Sequence, residues 1–234
     1  MSWRVRKRLF DLVVGGFLAI LATPVIAALA AVTAVSLRSW PFFVQERITE
    51  GGRHRRFYKL RTLPKHTPPY ALKRSLEMNL PRIPLLLRRL HLDELPQLYL
   101  VALGRLSLVG PRPKMPDAFE PVDPVYGELR VLVPQGCTGL WQVGSHTDEL
   151  PHETPDYDFF YLRYGCLRMD VWVLWRTLRH MLGMNRPVVL DDVPAWVRGS
   201  GYVEADVLEA VPEARVVGRS YLDQPEPATN ALDA

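Results

Sequence analysis

The distribution of apolar residues along the chain is uneven. Leu12–Leu37 runs for 26 residues without a charged side chain. About 20 apolar residues suffice to cross a bilayer, so the length permits a membrane helix. Thr23-Pro24 sits near its middle, where proline deletes a backbone hydrogen bond and clashes with the preceding turn. A kink or break is expected there. A secretory signal peptide competes with this reading, since Arg4, Arg6, Lys7 and Arg8 precede the run and Ala28-Leu29-Ala30 offers small residues. Signal cores usually extend over only about 7–15 residues, and this run is longer. Lys and Arg favour the cytoplasmic side, and both flanks are basic: Arg38–Arg61 holds seven Lys/Arg against Glu46 and Glu50. A straight span strands one basic flank, whereas a helix broken at Pro24 returns both to one side. A re-entrant helix is expected over residues 1–38, with an ordinary span as the alternative.

The rest of the pattern is shorter-ranged. Tyr58–Leu63 reads as a strand or extended segment carrying cations, and Pro64–Pro69 as a loop. Arg82–Leu92 interleaves leucines and arginines, as an amphipathic helix at a lipid surface does. Asp93-Glu94 opens a further helix with Leu95, Leu98, Val101 and Ala102 on its apolar side. Pro96 is tolerated in its first turn, and Gly104 closes it. Ser107–Pro113 (SLVGPRP) is a shaped loop. Met169–Leu182 is helical by period, with Val171, Leu174, Trp175, Leu178 and Leu182 apolar; tryptophans beside arginines suit a headgroup-level helix, and a core helix fits the period equally well.

Charge divides the chain. Residues 185–234 hold nine Asp/Glu and four Lys/Arg, a net of −5, so the total of +4 leaves +9 on residues 1–184. A basic body suits an anionic partner. The two cysteines, Cys137 and Cys166, make neither a disulfide framework nor a metal-ligand spacing. The division suggested is a membrane helix at 1–38, a catalytic domain at 39–184 and an acidic, proline-containing appendage at 185–234.

Five strings recur in order: KRLFD at Lys7–Asp11, YKLRT at Tyr58–Thr62, LDELPQL at Leu92–Leu98, LVGPRP at Leu108–Pro113 and TGLWQV at Thr138–Val143. Together they resemble the bacterial sugar transferase family, the monotopic phosphoglycosyl transferases, over roughly Lys7 to Leu182. The resemblance implies an α/β-type but mostly helical fold: a re-entrant membrane helix, amphipathic interfacial helices and a small cytoplasmic catalytic domain with minor sheet. It implies transfer of a sugar-1-phosphate from a UDP-sugar donor to a polyprenyl phosphate acceptor at the inner membrane, with release of UMP. The lipid bilayer is then a partner, nucleic acid is not, and a homodimer is left open.

Breaking a diphosphate needs a nucleophile at phosphorus and neutralisation of spreading negative charge. Carboxylate attack on a diphosphate is anion against anion, so a divalent cation is expected. Asp93 and Glu94 supply carboxylates; the resemblance makes Asp93 the nucleophile and has Glu94 complete the dyad, with Mg2+ held by both. The alternative for the pair is a helix N-cap followed by a favourable first-turn acid. Arg112, fixed between Pro111 and Pro113, presents a fork that grips phosphate bidentately. Lys59 and Arg61 alternate on the extended segment and would share a face toward phosphate. Gln142, within TGLWQV, joins the substrate-binding candidates through the resemblance. Asp158 and Asp170 match positions where the family has acids, with structural salt bridges as their default.

Departures accompany the matches. Gly144-Ser145-His146 follows Val143 where the family runs through Ser-Gly-Arg, so His146 stands in as a weaker, pH-dependent contact. Gln135-Gly136-Cys137 replaces a usual Pro-Gly-Ile, Leu100 a common asparagine, and Arg105 an acidic or polar residue. A non-catalytic membrane scaffold retaining the fold is the alternative these raise. A nucleic-acid-binding membrane protein finds no supporting fold motif.

Overall fold

The computed structural model describes residues 2–64, 82–116, 124–144, 154–184, 186–203 and 208. His146 lies outside them. The first element is helical from Trp3 to Leu37: α1 (Trp3–Phe10), one π-helical turn (Asp11–Gly15) and α2 (Gly16–Leu37). The expected break at Pro24 is absent, since α2 continues through it. Proline removes one intrahelical donor, and a neighbouring element braces the helix there. Thr23 Oγ1 donates to Ala19 O (2.8 Å), so its bond with the Tyr99 hydroxyl (2.8 Å) has Tyr99 as donor. The departure from α geometry falls earlier, at Asp11–Gly15, where Gly15 meets Val101: a Cβ there would lie 2.4 Å from Val101 Cγ1.

Ala19, Ala22, Ile26, Ala30 and Thr33 form the buried stripe of α2, spaced three or four residues apart as one helix face requires. Phe17, Ile20, Leu21, Val25 and Val35 face outward and exposed. Small side chains on the buried face let the next elements approach closely. Those are α3 (Arg82–Arg89), the 3-10 turn Leu92–Gln97, α4 (Leu98–Ala102) and the extended segment Arg53–Leu60.

A hairpin pairs β1 (Phe42–Thr49) with β2 (Arg53–Leu60) in antiparallel register, Phe42 opposite Leu60 and Thr49 opposite Arg53. Gly51 and Gly52 turn it with φ of 69° and 70°, a region that other residues rarely occupy. Arg4 of α1 forms an ion pair with Glu50 at the hairpin tip and donates to Leu132 O (2.9 Å). The chain that leaves the helix at Leu37 thus comes back to the helix's beginning.

The core lies beyond. A two-stranded parallel sheet, β3 (Ser107–Val109) with β4 (Gly136–Thr138), packs with α5 (Pro124–Arg130), α6 (Leu140–Val143), α7 (Asp156–Tyr164) and α8 (Leu167–Met181). The fold is mostly helical with minor sheet, as expected. One detail differs from the sequence reading: the helix expected from Asp93 begins as a 3-10 turn and becomes α-helical only at Leu98. Of the two readings left open for α8, its stripe favours the surface one: Val171, Trp175, Leu178 and Leu182 stay outside, Leu174 packs against the core, and Met169, Asp170 and Val173 face inward. Beyond α8, Val188, Leu190, Val193, Val197 and Tyr202 are buried in the same core, and Val188 N bonds Val143 O. Core packing therefore continues past the composition shift at Asn185.

β3 is short, and α1 covers its outer edge. Asp11 Oδ1 accepts from Leu108 N (3.0 Å), and Lys7 Nζ donates to Val109 O (2.9 Å). Lys7 also pairs with Asp170 Oδ2 at 2.8 Å, both side chains buried. Tyr202 donates to the same oxygen (2.9 Å) and Tyr161 to the other (2.7 Å). Asp170 thus serves a structural salt bridge. Lys7→Met should destabilise by about 3–5 kcal/mol, because it leaves a buried carboxylate uncompensated. The Lys7→Met/Asp170→Asn double variant should recover much of that loss. Thermal unfolding in detergent measures the coupling, and losses that simply add would disprove it.

Candidate active site

The left-handed His91 (φ 52°) redirects the chain into the 3-10 turn that carries Asp93 and Glu94. The turn packs against β2, which brings Lys59 to Glu94: Nζ to Oε1 is 2.5 Å. Arg112 reaches the same oxygen, Nη2 to Oε1 at 3.4 Å. Four predicted residues from three separate strings therefore converge. Both cation contacts fall on Oε1.

Arg112 is held by its backbone as well as by its prolines. Pro111 O accepts from Gly136 N (3.0 Å), and Arg112 O from Arg130 Nη2 (2.7 Å). Pro113 O accepts from Arg47 Nη1 (2.9 Å), and Lys114 O from Ile48 N (2.9 Å). Four consecutive carbonyls are thus tied to four donors. Gly110, just before, is required by close approach: a Cβ there would sit 2.2 Å from Pro134 O. The Arg112 guanidinium lies 5.9 Å from the Trp141 ring centroid, which places TGLWQV beside the loop.

The other candidates have separate stations. Asp158 accepts from Tyr126 (2.7 Å) and pairs with Arg130 (2.9 Å), so it supports the site through the Arg130 that holds Arg112 O. Arg61 does not join Lys59. It follows the end of β2 and donates to Trp40 O (3.0 Å) and Phe42 O (3.3 Å), closing the hairpin base. Gln142 is inward-facing beside Gly139, and neither of its amide atoms has a hydrogen-bond partner among the described residues. Arg47 and Arg130 were missed by the sequence reading. No motif flags them, because their work is done on backbone carbonyls that only the fold brings near.

Electrostatics divides the two carboxylates. Burial would raise Glu94, but Lys59 and Arg112 overcome it and hold the group well below the usual range. Asp93 is pushed up to about 6, by burial first and then by ionised Glu94 beside it. Burial likewise lowers Lys59 while Glu94 pulls it back up. At neutral pH Glu94 is a locked anion, and Asp93 is ionised but unusually basic. A carboxylate with a raised pKa is the better nucleophile of the two. Among the described residues no group of three or more His, Cys, Asp and Glu could hold a metal by itself. Two carboxylates are nevertheless a hard-oxygen set of the kind magnesium accepts when a substrate phosphate and water complete its shell.

The sequence model of the bacterial sugar transferase family matches residues 2–184. The UDP-N-acetylgalactosamine-undecaprenyl-phosphate N-acetylgalactosaminephosphotransferase of Aeromonas hydrophila is 30% identical over 177 residues, 70% of this chain and 41% of that protein. EpsL of Bacillus subtilis, an uncharacterized sugar transferase, is 32% identical over 181 residues, 76% of this chain and 88% of its own length. The UDP-glucose:undecaprenyl-phosphate glucose-1-phosphate transferase of Caulobacter vibrioides is 34% identical over 190 residues, 76% and 67% respectively. The chain thus spans under half of the Aeromonas protein and most of the Bacillus one.

Asp93 gives a stability test independent of turnover. Its pKa in the fold lies above its value of 3.8 elsewhere, so the cost of ionising it builds up between pH 3.8 and about 6, stands in full above that and is absent below 3.8. Asp93→Asn should raise the unfolding temperature at pH 7.5. The gain should shrink as pH falls through 6 and vanish near pH 3.5. An Asn variant no more stable than wild type at pH 7.5 would refute the raised pKa.

Proposed function

The chain belongs to the bacterial sugar transferase family, and from that premise we propose that it transfers a sugar-1-phosphate from a UDP-sugar to a polyprenyl phosphate in the membrane. The observation that carries this reading is the asymmetric dyad: a basic Asp93 beside a Glu94 that Lys59 and Arg112 hold ionised. A non-catalytic scaffold has no use for a carboxylate kept at such a disadvantage.

In the proposed reaction an Asp93 oxygen attacks the phosphorus that bears the sugar. A new oxygen–phosphorus bond forms, the bridging bond of the diphosphate breaks, and its electron pair leaves on UMP. A phosphate oxygen of polyprenyl phosphate then attacks the same phosphorus. The bond to Asp93 breaks, the carboxylate is regenerated, and the sugar leaves on a lipid diphosphate. Arg112 and Lys59 meet the negative charge that spreads over the phosphoryl oxygens. Asp93 and Glu94 would hold magnesium, which when bound neutralises the diphosphate; Glu94 Oε2 is the oxygen its cation partners leave for it. The relatives' named sugars differ, so the donor is proposed as a class.

Asp93→Asn should abolish UMP release, and a trapped phosphosugar should map to Asp93 by mass spectrometry. Wild-type UMP release should rise with pH through about 6, as Asp93 ionises, and should stop in EDTA and resume with magnesium. An adduct on another residue would overturn the mechanism.

Both ends of the helix are proposed to lie on the cytoplasmic side of a bilayer, at the inner membrane. Two facts support this. The hairpin tip is bonded to Arg4 at the start of the helix, and β1 retraces roughly 27 Å at about 3.4 Å per residue. A perpendicular span would drag Arg47, Arg55, Arg56 and Lys59 of that hairpin toward hydrocarbon, each costing roughly 2.5–3.5 kcal/mol at the bilayer centre. The exposed stripe of α8, with Arg179 4.8 Å from the Trp175 ring centroid, fits an interfacial helix. With Cys137 and Cys166 replaced by alanine, cysteines at Ser2 and Arg53 should both resist an impermeant thiol reagent in intact cells. Labelling of one but not the other would refute the same-side arrangement.

A further inference from the structure

At the other end of β3 from Arg112, α1 and the segment Gly104–Leu106 enclose a cavity of about 520 Å³. Three arginines line it: Arg4, Arg8 and Arg105. Arg4 is spent on Glu50 and on Leu132 O. Arg8 and Arg105 are not: among the described residues neither guanidinium has a hydrogen-bond or ion-pair partner. Arg8 is also seated. Its Nη2 lies 1.3 Å from where a Cβ of Gly104 would be, and Gly104 has φ +76°, so the bare glycine makes room for the guanidinium over the loop. The remaining acid of the lining, Asp11, is buried and turned to Leu108 N.

The same cavity is apolar on its helix side. Leu9 and Leu12 line it, 55% and 40% exposed, and the exposed surface continues through Val13 to Phe17. Two unpaired cations at the foot of an apolar slope match an amphiphile with an anionic head. We propose that this cavity binds the headgroup of an acidic glycerophospholipid, with its phosphodiester on Arg8 and Arg105 and an acyl chain along Leu9 and Leu12. The polyprenyl phosphate acceptor is a poor occupant, because its phosphate must reach Asp93, and the cavity shares no lining residue with the dyad, Lys59 or Arg112. The proposal rests on the helix lying in a bilayer.

Purified protein is assayed by thermal unfolding with short-chain phosphatidylglycerol, short-chain phosphatidylcholine or inorganic phosphate. Phosphatidylglycerol should raise the unfolding temperature by several degrees; the other two should leave it within one degree. Arg8→Gln/Arg105→Gln should lose that response and keep UMP release in lipid-free detergent within about twofold. An equal response to phosphatidylcholine or phosphate, or a full response in the double variant, overturns the site. Should the double variant fail to fold, the exposed Arg105→Gln alone must weaken the phosphatidylglycerol titration at least threefold, and an unchanged titration overturns the proposal. Flotation on neutral vesicles tests the membrane reading separately. Flotation without phosphatidylglycerol selectivity defeats the headgroup site alone, and failure to float on vesicles of either composition defeats both.

Discussion

Lys7 and Asp170 meet with 1% and 0% of their side chains exposed, and a pair that deep is tolerated only where the remaining protons and lone pairs are also satisfied. Here they are. Lys7 spends a second proton on Val109 O, and Asp170 receives two tyrosine hydroxyls. Four segments distant in sequence, α1, β3, α7 with α8, and the chain at Tyr202, must therefore arrive together or leave charges stranded. Hydrophobic contact alone would let α1 slide along β3, whereas the ion pair and Asp11 on Leu108 N allow one register. That register sets where β3 ends, and so where the Gly110–Pro113 loop begins.

From that point the site is built by backbone acceptors. An arginine between two prolines is stiff but not yet aimed; donors from Gly136, Arg130, Arg47 and Ile48 aim it. Arg130 is itself held by Asp158, so an acid remote from the dyad has a route to it. Preorganisation of this kind matters for phosphoryl transfer, where the protein's contribution is mainly position and charge. Glu94 is the junction. It gathers two cations that would otherwise repel, and its own charge raises Asp93. One carboxylate is sacrificed to fixed charge, and the other is made basic.

The sequence exposed the parts of this arrangement that are local. A charge-free run of 26 residues, an acidic pair and an arginine between prolines each have a physical meaning that needs no neighbour. Strand alternation put Lys59 and Arg61 on one face, but alternation holds only while the strand does, and β2 stops at Leu60; Lys59 meets Glu94, and Arg61 turns to Trp40 O and Phe42 O instead. β1 escaped notice because Phe42–Thr49 lacks a clean alternation, although Gly51-Gly52 marks a hairpin turn. The persistence of α2 through Pro24 was not legible either. The missing donor is visible in sequence, but the brace from Tyr99, 76 residues away, is not. For α8 the period identified the helix and left open which face was buried. Asp170 decides it, and its partner Lys7 lies 163 residues away.

Apart from His146, which lies outside the described residues, the departures from the pattern that the resemblance implies lie outside the dyad itself. Gln135, at a position where the resemblance implies proline, turns its side-chain amide back onto Arg130 O (2.6 Å) and Val133 O (2.9 Å), while its backbone carbonyl accepts from Ser107 N (2.8 Å) as any residue's could. The side chain thus closes the turn after α5 by hydrogen bonds. Cys137 has its thiol pushed up by burial, which makes it a small packing residue and no nucleophile. Leu100, at an asparagine position, is 5% exposed and sits in the core cluster with Val101 and Leu106. An amide there would need partners that these leucines and valines do not offer. Arg105 is the one departure that adds a charge, and it adds it to the cavity that also holds Arg8. These four residues thus lie in the scaffold behind Arg112 or at the surface by the helix entry, while Lys59, Glu94 and Arg112 meet in the site.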